Sequence, residues 1–141
     1  MKKIDIFKKL RSSGLRPTKQ RVKLAEFLFN REKTFHFTVE NLNKAINKKN
    51  SEDKIALATI YNTIHAFKKA GHLKEILIKE GKNYFDTNIS SHHHFYDEIN
   101  NELTDIENNK IELKKFPTPP KGKTIKDVNV IINIDNDNQK H

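Results

Sequence analysis

An α+β chain in two lobes, helices and a hairpin first and strands after, is what these 141 residues predict. Three observations carry that reading. Apolar positions through Phe67 recur at helical spacing, and from Leu73 onward the period drops to two. The charge divides as well: residues 1–87 hold 20 Lys and Arg against 9 Asp and Glu (+11), whereas residues 88–141 hold 7 against 9 (−2). A basic front and a faintly acidic back point to a polyanion partner for the front alone.

The elements follow in order. Residues 3–13 read as a first helix with Ile4, Phe7 and Leu10 facing inward and Gly14 as its stop. Arg16-Pro17-Thr18 breaks the pattern, and Thr18 caps a second helix running to about Asn30 on an apolar face of Val22, Ala25, Leu28 and Phe29. Thr38 caps a third, with Glu40 in its first turn and Leu42, Ala45 and Ile46 inward. A polar linker, Asn47–Asp53, leads on.

The stretch around which the chain is organised is A-T-I-Y-N-T-I-H-A-F-K-K-A-G-H-L, residues 58–73. Ile60, Ile64 and Phe67 make one helical stripe, and Thr59, Tyr61, Asn62 and Thr63 fall largely off it near the N-terminal end. Lys68 and Lys69 load the last turn, and Gly71 sits where a left-handed cap ends a helix. A short helix of this kind suits a DNA major groove. The same pattern also describes a core helix showing its polar face to water, so the neighbours must decide.

Next, Leu73, Glu75 and Leu77 alternate with Lys74, Ile76 and Ile78, Glu80-Gly81-Lys82 turns the chain, and Asn83–Thr87 returns. This is a β-hairpin with Lys79 and Lys82 near its tip. Helices followed by a basic hairpin is the order of a winged helix-turn-helix, in which the helix before the wing does the reading. Residues 1–88 are thus expected to form a winged-helix DNA-binding domain.

Residues 89–134 are expected to form a small α/β dimerisation and metal- or haem-sensing domain. After His92–His94 a second hairpin turns at Asn100-Asn101 and runs to Ile106. A helical turn over residues 109–116 ends at Pro117, and Val128, Val130, Ile132 and Ile134 supply a last strand. So few elements bury too little to stand alone, and pairing across a two-fold axis would complete the core. The tail, residues 135–141, is expected to be disordered.

Composition narrows the functions. Apolar residues are 35% and charged residues 32%, with no run near the roughly 18 apolar residues of a membrane span and no signal-peptide pattern, so a cytoplasmic protein without a membrane partner is expected. With no cysteine, disulfides, thiolate zinc sites and cysteine nucleophiles are excluded. Gly-rich phosphate loops, serine elbows and H-E-x-x-H are all missing from the sequence, and no enzyme is expected.

The histidines carry the remaining chemistry. On a strand, His92 and His94 point one way and His93 the other. Two same-side imidazoles ligate a metal ion if carboxylates approach, and Asp86 and Asp105 are the candidates, with His36 able to reach in. Three surface histidines at a linker is the plainer alternative.

G-L-R-P-T-K-Q-R (14–21), H-F-T-V-E-N-L (36–42), A-T-I-Y-N-T-I (58–64), A-G-H-L (70–73) and the histidine cluster together resemble the ferric uptake regulator superfamily over about residues 5–134. Within it, H-H-H-F-Y-D-E-x-N-x-E-L-x-D-I, P-x-P-P-x-G and the V-x-V strand are most similar to the iron response regulator branch. The resemblance implies a homodimeric transcription factor on an A·T-rich palindromic operator of iron and haem genes. It implies that Tyr61 and Asn62 meet bases, with Thr59 assisting, Arg16 in the minor groove and Arg21 on phosphate. His36, Asp86, His92, His94 and Asp105 match the superfamily's metal site for zinc, iron or manganese. The second site is incomplete: Ser91 and Val128 stand where histidines are expected, leaving His93 and Glu112. The resemblance implies sensing of haem or iron status, with activity when haem is scarce. With no cysteine for a Cys-Pro motif, His92, His93 and His94 would be the haem contact. The alternatives are a metal-corepressed regulator of the Fur, Zur or PerR type, and a metal-buffering protein.

Overall fold

The structure, a computed structural model, describes residues 3–48, 52–79, 82–90 and 92–137. Its contacts divide the chain into two compact units, Met1–Ile89 and Ser90–His141. The first holds α1 (Ile6–Ser12), α2 (Lys19–Phe29), β1 (His36–Phe37), α3 (Val39–Ile46), α4 (Leu57–Lys69), β2 (Lys74–Lys79) and β3 (Lys82–Asp86). The second holds β4 (His93–Asp97), β5 (Glu102–Ile106), one 3₁₀ turn (Asn108–Lys110) and β6 (Ile131–Ile134).

In the first unit three helices begin at side-chain caps. Asp5, Thr18 and Thr38 each accept the backbone N–H three residues on, satisfying a donor that the helix itself leaves open. Capping by Asp5 also corrects the expected inward face of α1. The helix starts at Ile6, so Ile6 and Leu10, four apart, face the core, while Ile4 and Phe7 are 43% and 46% exposed. Phe7 lies outside under the Arg11 guanidinium, 5.7 Å from its ring centroid.

Helix α4 ends in a Schellman arrangement. Gly71 takes φ +85°, its N–H donates to Lys68 O, and His72 N–H donates to Phe67 O. Ile60, Ile64 and Phe67 are fully buried against Leu10, Leu24, Leu28 and Leu42. Thr63, expected off the stripe, is buried with them at 5% exposure, because the face in contact is wider than three residues.

The wing is an antiparallel sheet in the order β1-β3-β2. Glu75 pairs with Phe85 and Leu77 with Asn83; the expected turn at residues 80–81 lies outside the described residues. Strand β1 was not foreseen. It is only two residues long, which leaves no period to read, and it places His36 opposite Asp86 and Phe37 opposite Phe85.

The second unit is a sheet in the order β5-β4-β6, with β4 antiparallel to β5 and parallel to β6. Its hairpin turns through Asn101 at φ +53°, a conformation asparagine tolerates, and Asp97 accepts the backbone N–H groups of Ile99 and Asn100. Those bonds, with the Asn100 side-chain amide foremost, hold the Asp97 carboxyl below its ordinary value. The helical turn expected over residues 109–116 is a correction: only Asn108–Lys110 turn, as a 3₁₀ segment. Asparagines are poor helix formers, and the residue before Pro117 is driven to extended backbone. Of the expected tail, residues 138–141 lie outside the described residues.

His72 ties the end of α4 to the end of α1. Its Nε2 lies 2.7 Å from Ser13 Oγ, whose hydroxyl donates to Leu10 O, so the imidazole N–H is the donor. Phe29 and Phe67 flank the ring at 6.0 and 6.4 Å. Burial, and next the Lys9 charge, push its pKa below the ordinary histidine value. The unfolded chain therefore binds a proton that the fold resists; stability is complete above the unfolded pKa and is lost as pH falls below about 6.5. In urea unfolding with chelator present, the midpoint should drop between pH 7.5 and 5.5, and His72→Asn should lower the midpoint at pH 7.5 while shrinking that drop. An unchanged drop would refute the assignment.

Candidate nucleic-acid interface and metal centre

Because Ile60, Ile64 and Phe67 face the core, the opposite side of α4 shows Tyr61, Asn62 and His65 to solvent. Thr59 is half-buried at the helix start. Ala56 gives α4 no side-chain cap, so its first N–H groups are not closed off by a neighbouring side chain. An open groove beside them is lined by Arg16, Thr18, Gln20, Arg21, Thr59, Asn62 and Thr63. The structure thus brings four of the five residues expected to meet DNA, Arg16, Arg21, Thr59 and Asn62, to one concavity. Arg21 Nη1 donates to Arg16 O at 3.1 Å, which stiffens the loop carrying Arg16.

Tyr61 lines a neighbouring pocket with Val39, Glu40, His65, Glu75, Asn83 and Phe85. Its hydroxyl donates to Glu40 Oε1 at 2.8 Å. That bond first, then burial and the Glu40 charge, raises the phenol pKa. Sequence reasoning placed Glu40 only as a first-turn carboxylate; a partner 21 residues away leaves no local spacing to find. It also missed the network that joins wing to helix, in which Glu75 takes Lys68 Nζ on one oxygen and Asn83 Nδ2, at 3.2 Å, on the other.

The metal candidates fall in two groups. In the first unit, His36 Nε2 lies 3.1 Å from Oδ2 of the fully buried Asp86, set by the β1–β3 register. In the second, His92 Nε2 and His94 Nε2 lie 3.1 and 3.3 Å from the same oxygen, Asp105 Oδ1, with ring centroids 4.5 Å apart. Adjacent ligand atoms around a zinc-sized ion stand about 3.0–3.4 Å apart, given bonds of roughly 2.0–2.1 Å. Both groups have that spacing, and the imidazole and carboxylate donors suit zinc, iron or manganese.

His92 adds a tautomer argument. Its Nδ1 is 2.8 Å from Ser90 O, a carbonyl that only accepts, so Nδ1 carries hydrogen and donates. A neutral ring in that tautomer turns a lone pair on Nε2 toward a carboxylate oxygen. Two acceptors at 3.1 Å call for a cation between them, a proton or a metal, and a carbonyl behind a ligand histidine is the usual support for a bound ion. His93 turns elsewhere: its Nδ1 accepts the N–H of Val130 at 3.0 Å, which pins the approach to β6.

Against known proteins the correspondence is broad. Residues 12–133 match the ferric uptake regulator family. The chain belongs to that family. It is 31% identical over 97 residues to the peroxide-responsive repressor PerR of Staphylococcus epidermidis, covering 69% of this chain and 62% of that one. It is 31% identical over 114 residues to the ferric uptake regulation protein of Campylobacter upsaliensis, covering 79% and 72%. The chain therefore spans about three-fifths of the length of the first of these relatives. Among solved structures, the ferric uptake regulator of Pseudomonas aeruginosa with manganese aligns with a TM-score of 0.70 at 22% identity, over 95% of this chain and 99% of that one. The Vibrio cholerae ferric uptake regulator aligns at 0.68 and 21%, over 92% and 98%. These two likenesses establish the fold, α+β, with a winged-helix unit followed by a small sheet-forming unit.

Removing the Glu75 carboxylate should loosen the wing without unfolding the unit. Glu75→Ala should cost no more than about 1 kcal/mol in stability, since Lys68 is partly exposed, yet speed amide exchange across β2 and β3. Unchanged exchange there would show that the network does not hold the wing.

Proposed function

We propose that this protein is a metal-responsive transcription regulator that reads A·T-rich two-fold DNA as a homodimer. What carries the reading is the exposed face of α4: Asn62 shares a groove with Arg16 and Arg21, and the adjacent Tyr61 is exposed too, on the lobe that holds a net +11. In this role Tyr61 and Asn62 meet base edges with Thr59 assisting, Arg16 enters the adjacent minor groove, and Arg21 contacts phosphate. Two reading helices related by a dyad require half-sites about 34 Å apart. The homodimer is supported by the second unit, where Tyr96 and Ile106 are the buried apolar side chains among the described residues and Ile132 and Ile134 are each 39% exposed.

The signal in this proposal is a divalent ion held by His36, Asp86, His92, His94 and Asp105. The support is that each unit by itself offers imidazole and carboxylate at ligand spacing. When bound, the ion supplies positive charge and a fixed ligand geometry. His92 is oriented for it by Ser90, and Asp86 is already desolvated. A haem-responsive protein of the iron response regulator type is the second reading, with His92, His93 and His94 as the contact. The divalent ion is favoured because His92 and His94 converge on one oxygen while His93 Nδ1 is committed to Val130. The matched relatives are named for ferric uptake and peroxide response, which agrees with a metal-ion signal.

The test exposes the full chain with Mn²⁺, Zn²⁺ or Fe²⁺ to a randomised duplex library. An A·T-rich palindrome with half-sites one turn apart should be enriched. Roughly 8 phosphate contacts per dimer would give a slope near −7 for log affinity against log salt. Asn62→Ala should relax base preference while most non-specific binding remains; an unchanged preference would remove Asn62 from the reading role, and failure to enrich any sequence would overturn the function.

A further inference from the structure

Glu40 stands outside the set of residues just assigned to DNA, yet it is bonded to one of them. It lies in the first turn of α3, exposed, and its Oε1 accepts the Tyr61 hydroxyl at 2.8 Å. The other carboxylate of the same pocket, Glu75, is engaged by Lys68 and Asn83, so Glu40 is the group that meets the phenol. An exposed tyrosine on a helix samples more than one rotamer, and a bond from a second helix selects one. The bond also fixes the hydroxyl proton. A tyrosine whose proton is held by a carboxylate can offer DNA its ring and an oxygen lone pair, but no donor.

That restriction bears on which bases are accepted. The guanine edge in the major groove presents only acceptors, N7 and O6, whereas adenine adds an N6 donor to its N7 and thymine a methyl group to its O4. A free phenol can donate to guanine; a phenol committed to Glu40 cannot. We propose that Glu40 is a positioning and specificity-determining residue, which holds Tyr61 in its reading rotamer and, by taking the hydroxyl proton, biases the contacted pair against guanine. The proposal rests on the DNA-reading role given to Tyr61 above.

The experiment uses the full chain and the duplex enriched from the randomised library, together with versions in which each A·T pair is replaced in turn by G·C. Wild type, Glu40→Ala, Tyr61→Phe, the double variant and Tyr61→Ala are compared in competition with random duplex. At one pair in each half-site, Glu40→Ala should tolerate guanine about fivefold better than wild type, the scale of a single hydrogen bond to a base edge. Tyr61→Phe, lacking a donor, should keep the rejection of guanine. The double variant should regain it, because the relaxed donor is gone; a merely structural role for Glu40 would not be reversed by removing one hydroxyl. Melting temperatures within a few degrees of wild type confirm that the fold is retained. A Glu40→Ala profile identical to wild type, or a double variant as relaxed as Glu40→Ala, overturns the proposal. A Tyr61→Ala profile identical to wild type would instead overturn the reading role of Tyr61, on which it rests.

Discussion

Burial of one side of α4 sets what the rest of the first unit can do. With Ile60, Ile64 and Phe67 fully excluded from water, the helix has no freedom to rotate about its axis, and Tyr61, Asn62 and His65 must face outward. Burying three such side chains is worth about 1.5–3 kcal/mol each, far more than any polar contact on the outer face. The outer face is therefore free to be chosen for recognition. Tyr61 and Asn62 stand out because of what lies behind them, and the neighbouring contacts, Glu40 on Tyr61 and Arg21 on the Arg16 carbonyl, fix the details.

The same logic, with polar groups in place of apolar ones, holds at the histidines. Strand β4 buries His93 and His94 on opposite faces, and backbone acceptors and donors settle what each ring does. His92, tied to the Ser90 carbonyl, turns its Nε2 to Asp105; His94 meets the same oxygen; His93 accepts from Val130 and stabilises the sheet edge. Of three consecutive histidines, two converge on one carboxylate oxygen and one bonds the backbone ahead of β6.

Much of this was legible in the sequence where local chemistry repeats. The caps at Thr18 and Thr38, the stripe of α4, the left-handed Gly71 and both hairpins leave marks within four or five residues. Features that depend on distant partners left none. The two-residue strand β1, the Glu40–Tyr61 bond and the Glu75 network each join residues that no spacing rule connects. Helix α1 was misread for a different reason. Ile4, Ile6, Phe7 and Leu10 admit two overlapping stripes, and the choice fell to Asp5, whose cap starts the helix at Ile6 rather than at residue 3. The Asn-rich segment after Ile106 failed as a helix because neither its propensity nor the prolines beyond it allow one.

The central claim is that an ion on imidazole and carboxylate donors governs how tightly the α4 face engages DNA. The most direct measurement is the affinity of the full chain for its enriched duplex, in chelator and in saturating Mn²⁺, Zn²⁺ or Fe²⁺, for wild type and for His92→Ala/His94→Ala. Coupling of about 1–3 kcal/mol, or roughly 5–150-fold, is expected for wild type, with little or none in the variant. Equal wild-type affinity in chelator and in every metal would contradict the account.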